Sequence, residues 1–119
     1  MKTILIVDDT ELNIDLLTQL LEDDHNLVVA HDGEEGVAMA IQHLPDLILM
    51  DINLPVIDGY EATRRIRTND ALKSIPIIGL SAHAMSTHEQ MAKAAGCNDY
   101  LTKPINDEEL FKKLKEYLR

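Results

Sequence analysis

Five polar residues each stand at the end of an apolar run. Asp8 and Asp9 follow the run at residues 4–7, Asp51 follows Leu47, Ile48, Leu49 and Met50, Ser81 follows the run at 76–80, and Lys103 comes soon after Tyr100 and Leu101. Three carboxylates brought together repel one another, so one must hold a proton or a cation must join them. A set of oxygen ligands suits a hard cation, Mg²⁺ in preference to zinc. Magnesium keeps several waters and takes one or two protein carboxylates, which leaves room for phosphate oxygens. A carboxylate beside such a metal and a lysine is placed for phosphoryl chemistry. The carboxylate attacks phosphorus to form an acyl phosphate. The metal and the ammonium offset charge on the transferred group, and the hydroxyl hydrogen-bonds a phosphoryl oxygen.

This chemistry requires elements that carry the five residues to one place. Short apolar or β-branched runs at 4–7, 27–29, 47–50, 76–80 and 99–101 predict five strands. Helical patterns separate them. Leu12, Leu16, Leu17, Leu20 and Leu21 predict a first helix with Leu12, Leu16 and Leu20 in the core. Val37, Ala40, Ile41 and Leu44 predict a second, ended by Pro45. Gly59 begins a weaker third through Ala62 and Ile66, and residues 86–95 form a fourth, stopped by Gly96. The last helix carries Leu110, Phe111, Leu114, Tyr117 and Leu118, with Asn106 as its N-cap. Strands alternating with helices imply parallel pairing through right-handed crossovers. Continuous apolar runs imply a sheet covered on both faces. The expected fold is an α/β, three-layer sandwich built from five βα units, whose functional crevice lies beyond the carboxyl ends of the strands. Asp8, Asp9, Asp51, Ser81 and Lys103 all fall at that edge.

Composition narrows the function. A chain of 119 residues with 45% apolar content fits one domain, residues 1–119, with an ordinary core. No repeat, linker or low-complexity stretch divides it. Its net charge of −10 argues against nucleic acid and anionic membranes as partners and fits a soluble monomer. The single cysteine, Cys97, allows no internal disulfide and no cysteine zinc cluster, fits a reducing cytoplasmic location, and reads as a small buried filler. No apolar run is long enough to span a bilayer, and the N-terminal MKTILIVDD meets acid too early for a signal peptide. Five histidines show no metal-ligand spacing; His25, His31 and His43 read as surface residues.

Four motifs together point to a family. IVDD at 6–9, MDINLPVIDG at 50–59, GLSA at 79–82 and YLTKPI at 100–105 resemble the receiver domains of bacterial two-component response regulators, the CheY-like receivers. The motifs stand in family order and spacing over the whole chain, and the form is similar to single-domain regulators and to receivers of hybrid histidine kinases. The resemblance implies a flavodoxin-like (βα)5 sandwich with a five-stranded parallel sheet in the order 2-1-3-4-5. It implies that Asp51 is the phosphoacceptor, that Asp9 binds Mg²⁺ directly and Asp8 largely through water, and that the Asn53 carbonyl completes the ligands. Ser81 takes the position of the switch hydroxyl, Tyr100 that of the switch aromatic, and Lys103 contacts the phosphoryl group, with a cis bond between Lys103 and Pro104. Pro55 and Gly59 match the loop that closes over the site. His83, two residues past Ser81, belongs at the pocket rim, where it and Asn53 tune the lifetime of the phosphoryl group. The implied phosphodonor is a histidine kinase or histidine phosphotransfer protein, docked on the first helix near Glu11, Asn13 and Ile14. The implied output is contact with a downstream protein target through the surface around the fourth strand, fourth helix and fifth strand.

Two other classes compete. A magnesium-dependent phosphohydrolase with an aspartyl nucleophile often has a second acid two residues on, where this chain has Asn53. Turnover of small phosphate esters distinguishes it from a protein that modifies only itself. A nucleotide- or flavin-binding module on the same architecture wants a glycine-rich loop after the first strand, where DDTEL stands. A bound flavin would show by colour.

Overall fold

The apolar runs become strands, and the alternation of side chains along each strand sorts the core into two halves. In the computed structural model, which describes residues 1–82 and 86–118, the chain runs β1 (Thr3–Val7), α1 (Glu11–Leu21), β2 (Asn26–Ala30), α2 (Gly33–His43), β3 (Leu47–Asp51) and α3 (Gly59–Arg67). A short 3-10 turn (Asp70–Leu72) precedes β4 (Ile77–Ser81), α4 (Ser86–Ala95), β5 (Asp99–Thr102) and α5 (Asp107–Tyr117). The strands pair in parallel in the order β2-β1-β3-β4-β5. On one face Leu5, Val7, Ile48 and Met50 pack with Ala40 of α2, Ala62 and Ile66 of α3, and Ala92 and Ala95 of α4. On the other, Ile4, Ile6, Leu47, Leu49, Ile78 and Leu80 pack with Leu17 and Leu21 of α1 and Leu110 and Leu114 of α5. A period of two in the strands therefore feeds two helical layers from one set of continuous apolar runs.

The carboxyl edge is nearly flush. The ladder pairs Val7 with both Ala30 and Met50, Asp51 with Leu80, and Ser81 with Thr102. The sequence ends the third strand on Asp51 and the fourth on Ser81, and in the structure each is the last residue of its strand.

Among the described residues, side chains cap the starts of three α-helices. Asp32 accepts from the Glu35 N–H at 2.8 Å, Asp58 from Glu61 at 2.9 Å, and Asn106, as expected, from Glu109 at 3.0 Å. At α1, Thr10 occupies the cap position without a side-chain cap bond.

The first helix corrects the sequence reading. Leu12 is 77% exposed and Leu16 41%, with Leu20 half-buried, whereas Ile14, Leu17 and Leu21 lie in the core. The segment carries two apolar stripes at helical spacing, and periodicity alone does not choose between them. The tight turn from Asp8 into Thr10, followed by the Ile14 N–H to Thr10 carbonyl bond, sets the helix phase and points the 14/17/21 stripe at the sheet. Ile41, Leu44 and Phe111 are also exposed rather than core. The small inner residues of α2, Gly33, Gly36 and Ala40, bring that helix close to the sheet. His25 is half-buried, its Nδ1 3.1 Å from the Leu21 carbonyl oxygen, while His31 and His43 are at the surface. Cys97 is buried as expected. Among the described residues, no helix is long and apolar enough to cross a membrane.

Arg67, which the sequence did not single out, joins several segments. Its guanidinium donates to the carbonyls of Gly96, Leu72, Lys73 and Ile75 and to Asn98 Oδ1. It fastens the end of α3 to the 3-10 turn and to the turn before β5.

The two stripes of α1 differ in what they contribute. Leu17→Ala is expected to lower stability by about 2–5 kcal/mol. Leu12→Ala is expected to change it by no more than about 0.5 kcal/mol. Urea unfolding of the two variants checks this, and equal losses would contradict the observed helix phase.

Candidate functional site

At the carboxyl edge, β1 delivers Asp8, the turn behind it Asp9, β3 Asp51, β4 Ser81, and the segment after β5 Lys103. Asp8 is fully buried, Asp51 is 3% exposed and Ser81 1%, whereas Asp9 is open to solvent. Oxygens of Asp8, Asp9 and Asp51 all lie within 4.8 Å of one another. The Lys103 ammonium sits between two of these acids, 3.2 Å from Asp8 Oδ2 and 3.2 Å from Asp51 Oδ2. The remaining oxygens accept backbone bonds: Asp8 Oδ1 from the Thr10 N–H at 3.0 Å, Asp51 Oδ1 from the Asn53 N–H at 3.1 Å. Asp8 thus serves the start of α1 as well as the site.

The backbone that holds these side chains is itself tied across the sheet. The Asp8 N–H donates to Ala30, Ile52 to Leu80, and Lys103 to the Ser81 carbonyl at 2.7 Å. The Lys103–Pro104 bond is cis, as the resemblance implied. Gly59 lies so close behind the phosphoacceptor candidate that a Cβ there would stand 2.3 Å from the Asp51 carbonyl oxygen. Its N–H donates to the Ile52 carbonyl. The first turn of α3 therefore braces the backbone of Asp51 directly. Gly33, at the start of α2, approaches the loop between β3 and α3 in the same way, at the Ile57 carbonyl. Neither close approach has a signal in periodicity or composition; each shows only when elements distant in sequence pack.

Burial raises the Asp51 pKa from 3.8 to about 6. The charge of Asp8 pushes in the same direction, while Lys103 and the Asn53 N–H pull it back. An oxygen-only set of three acids with one carboxyl held partly protonated is what a hard divalent cation fits, since it would relieve the repulsion that raises Asp51.

Tyr100 is buried, packed in the same half of the core as Ile52, Tyr60 and Cys97. A cavity of about 60 Å³ adjoins the acids, lined by Asp8, Asn13, Leu16, Leu17, Leu80, Lys103, Pro104 and Ile105. A larger open depression of about 350 Å³, lined by His25, Phe111, Leu114, Lys115 and Leu118, shares no residue with the site and includes no carboxylate. Pro55 and Asn53 are exposed on the loop after β3. Ile14, expected on a docking surface, is in the core instead; the neighbouring Glu11 is exposed and Asn13 half-buried. His83 lies outside the described residues.

Comparison with known proteins agrees with this geometry. The family model described as "Response regulator receiver domain" matches residues 4–115. The polar-differentiation response regulator DivK of Brucella anthropi is 38% identical over 118 residues, covering 98% of this chain and 96% of its own. A receiver domain of a Pseudomonas aeruginosa sensor histidine kinase, with a magnesium ion coordinated in its active-site cleft, is 36% identical. It superposes with a TM-score of 0.91 and covers 98% of this chain and 97% of that one. The receiver domain of the Saccharomyces cerevisiae response regulator Ssk1, co-crystallised with the histidine phosphotransfer protein Ypd1, is 32% identical with a TM-score of 0.91, covering 98% and 88%.

The raised pKa of Asp51 has a measurable consequence in chelator, without metal. Below about pH 3.8 the carboxyl is neutral whether the chain is folded or not. As pH rises from there through about 6, the unfolded chain releases the proton more readily, so stability is lost. Asp51→Asn escapes that loss. Its urea midpoint is expected to exceed wild type most at pH 8, with the gap narrowing towards pH 4; a gap that ignores pH contradicts the assignment.

Proposed function

The chain belongs to the response regulator receiver domains of two-component phosphorelays, and from that premise we propose that residues 1–119 act as one cytoplasmic, monomeric receiver whose phosphoacceptor is Asp51. The phosphodonor is a histidine kinase or histidine phosphotransfer protein. An Asp51 oxygen attacks the phosphorus of phosphohistidine, the P–N bond breaks, the imidazole leaves, and the aspartyl carboxylate becomes an acyl phosphate. Lys103, freed from Asp51, follows the phosphoryl oxygens, and the Ser81 hydroxyl donates to one of them. Asp9 directly, Asp8 through water, Asp51 and the Asn53 carbonyl are the residues that would hold Mg²⁺. Bound there, it supplies the positive charge that offsets the carboxylates and the transferred group. Asn53 at the rim and, by its place in the sequence, His83 govern how soon water removes the group. The chain modifies itself rather than turning over a substrate.

The phosphodonor docks over the carboxyl edge against α1, on Glu11 and Asn13 as first expected, with Leu12 and Leu16 in place of the buried Ile14. The charge change at Asp51 is read through Ser81 and Tyr100 as a shift between two populations. The surface around β4, α4 and β5 then takes a downstream protein target.

The observation that carries this reading is the convergence of Asp8, Asp9 and Asp51 within 4.8 Å, with the Lys103 ammonium equidistant from Asp8 and Asp51. Incubation with acetyl phosphate and Mg²⁺ is expected to add one phosphoryl mass to wild type and none to Asp51→Asn, with little addition in chelator. Labelling of the variant, or none of wild type, would remove the central claim.

A further inference from the structure

The loop that leaves Asp51 contains a residue the site chemistry does not use. Val56 holds φ at 73°, in the left-handed region, and its side chain is 70% exposed. A β-branched residue is disfavoured there, whereas glycine or asparagine is at home. Its neighbours explain how the conformation is imposed. Leu54 and Ile57 pack against the core, whereas Val56 faces solvent. The Ile57 carbonyl is met by Gly33 of α2, and Gly59 is wedged against the Asp51 carbonyl. With both ends of the segment pinned, the residue between must take the turn. The backbone thus fixes the left-handed geometry but gives no reason for a valine, and exposure to water gives none either.

A reason lies in what must approach this edge. Asp51 is 3% exposed, so a protein donor has to press its surface onto the rim to bring phosphohistidine within reach. The chain is strongly acidic, and the rim side chains that are not acidic or polar are the ones able to contribute apolar burial to that contact. On one side stand Leu12 and Leu16 of α1, both exposed; on the other stands Val56. We propose that Val56 is a specificity-determining contact for the phosphodonor, held out by its strained backbone to meet an apolar side chain beside the donor's phosphohistidine. The proposal rests on Asp51 as phosphoacceptor and adds a residue that governs which protein delivers the phosphoryl group.

The test compares two donors on wild type, Val56→Asn and Val56→Ile. Acetyl phosphate needs no protein surface; the host's histidine kinases, autophosphorylated with labelled ATP, do. Val56→Asn relieves the backbone, so it is expected to melt above wild type, to label with acetyl phosphate at the wild-type rate, and to slow transfer from the preferred kinase about tenfold. Val56→Ile keeps the apolar contact and is expected to transfer within about twofold of wild type. Unchanged kinase transfer to Val56→Asn overturns the proposal. So does a parallel fall with acetyl phosphate, which would place Val56 in the site geometry, or a lower melting temperature, which would remove the strain argument. Wild type that labels with acetyl phosphate but takes the group from no kinase overturns it as well. Wild type that fails with acetyl phosphate overturns the phosphoacceptor reading itself.

Discussion

The arrangement depends on a lysine shared between two buried acids. Asp8 and Asp51 have almost no contact with solvent, and the Lys103 ammonium lies 3.2 Å from each. Removing the lysine would leave two buried carboxylates uncompensated, which is costly. The three residues come from β1, β3 and the segment after β5, so their meeting requires the strand order, the flush registers and the backbone bond from Lys103 to Ser81 all at once. The apolar halves of the core supply the rigidity that holds those constraints together.

Local structure yields to the site where the two conflict. The start of α1 has no side-chain cap from Thr10; the N–H of that residue donates to Asp8, whose other oxygen meets Lys103. The loop after Asp51 accepts a left-handed valine, with Gly33 packed on Ile57 and Gly59 on Asp51. The last residues of β3 and β4 are Asp51 and Ser81, polar and buried at positions where the strand pattern alone would favour another apolar side chain. Departures from local preference of this kind collect at functional sites because the surrounding packing holds them there.

The sequence made the sheet, its alternation with helices and the five site residues legible, since continuous apolar runs of strand length ending on polar residues have few other readings. It was less informative where two patterns of equal quality competed. In α1 the 12/16/20 and 14/17/21 stripes both satisfy helical periodicity, and the choice is made by the turn out of Asp8, a tertiary constraint. Ile41 and Leu44 helped to mark α2 but lie exposed: its fully buried positions are Gly33, Gly36 and Ala40, with Val37 and Met39 packed beside them, and such small residues are invisible to a search for large apolar ones. The Arg67 network, the Gly59 brace and the Gly33 contact with Ile57 depend on elements meeting across the fold. No local pattern announces them.

Charge explains why this edge is poised rather than settled. One ammonium against three carboxylates leaves the site two charges negative when all are ionised. Burial answers part of that deficit by lifting Asp51 to about 6, which would lower its reactivity in the proposed transfer, where the attacking form is the carboxylate. A divalent cation bound there would answer the rest and restore the carboxylate. On the proposed reading, converting that carboxylate to an acyl phosphate would add negative charge where Lys103 and Ser81 already stand. The groups that stabilise the resting site are those whose positions the new charge must change, and Lys103 cannot serve Asp8, Asp51 and a phosphoryl group equally. In that proposal a small chemical change at one buried oxygen would be converted into a choice between two arrangements of the same edge.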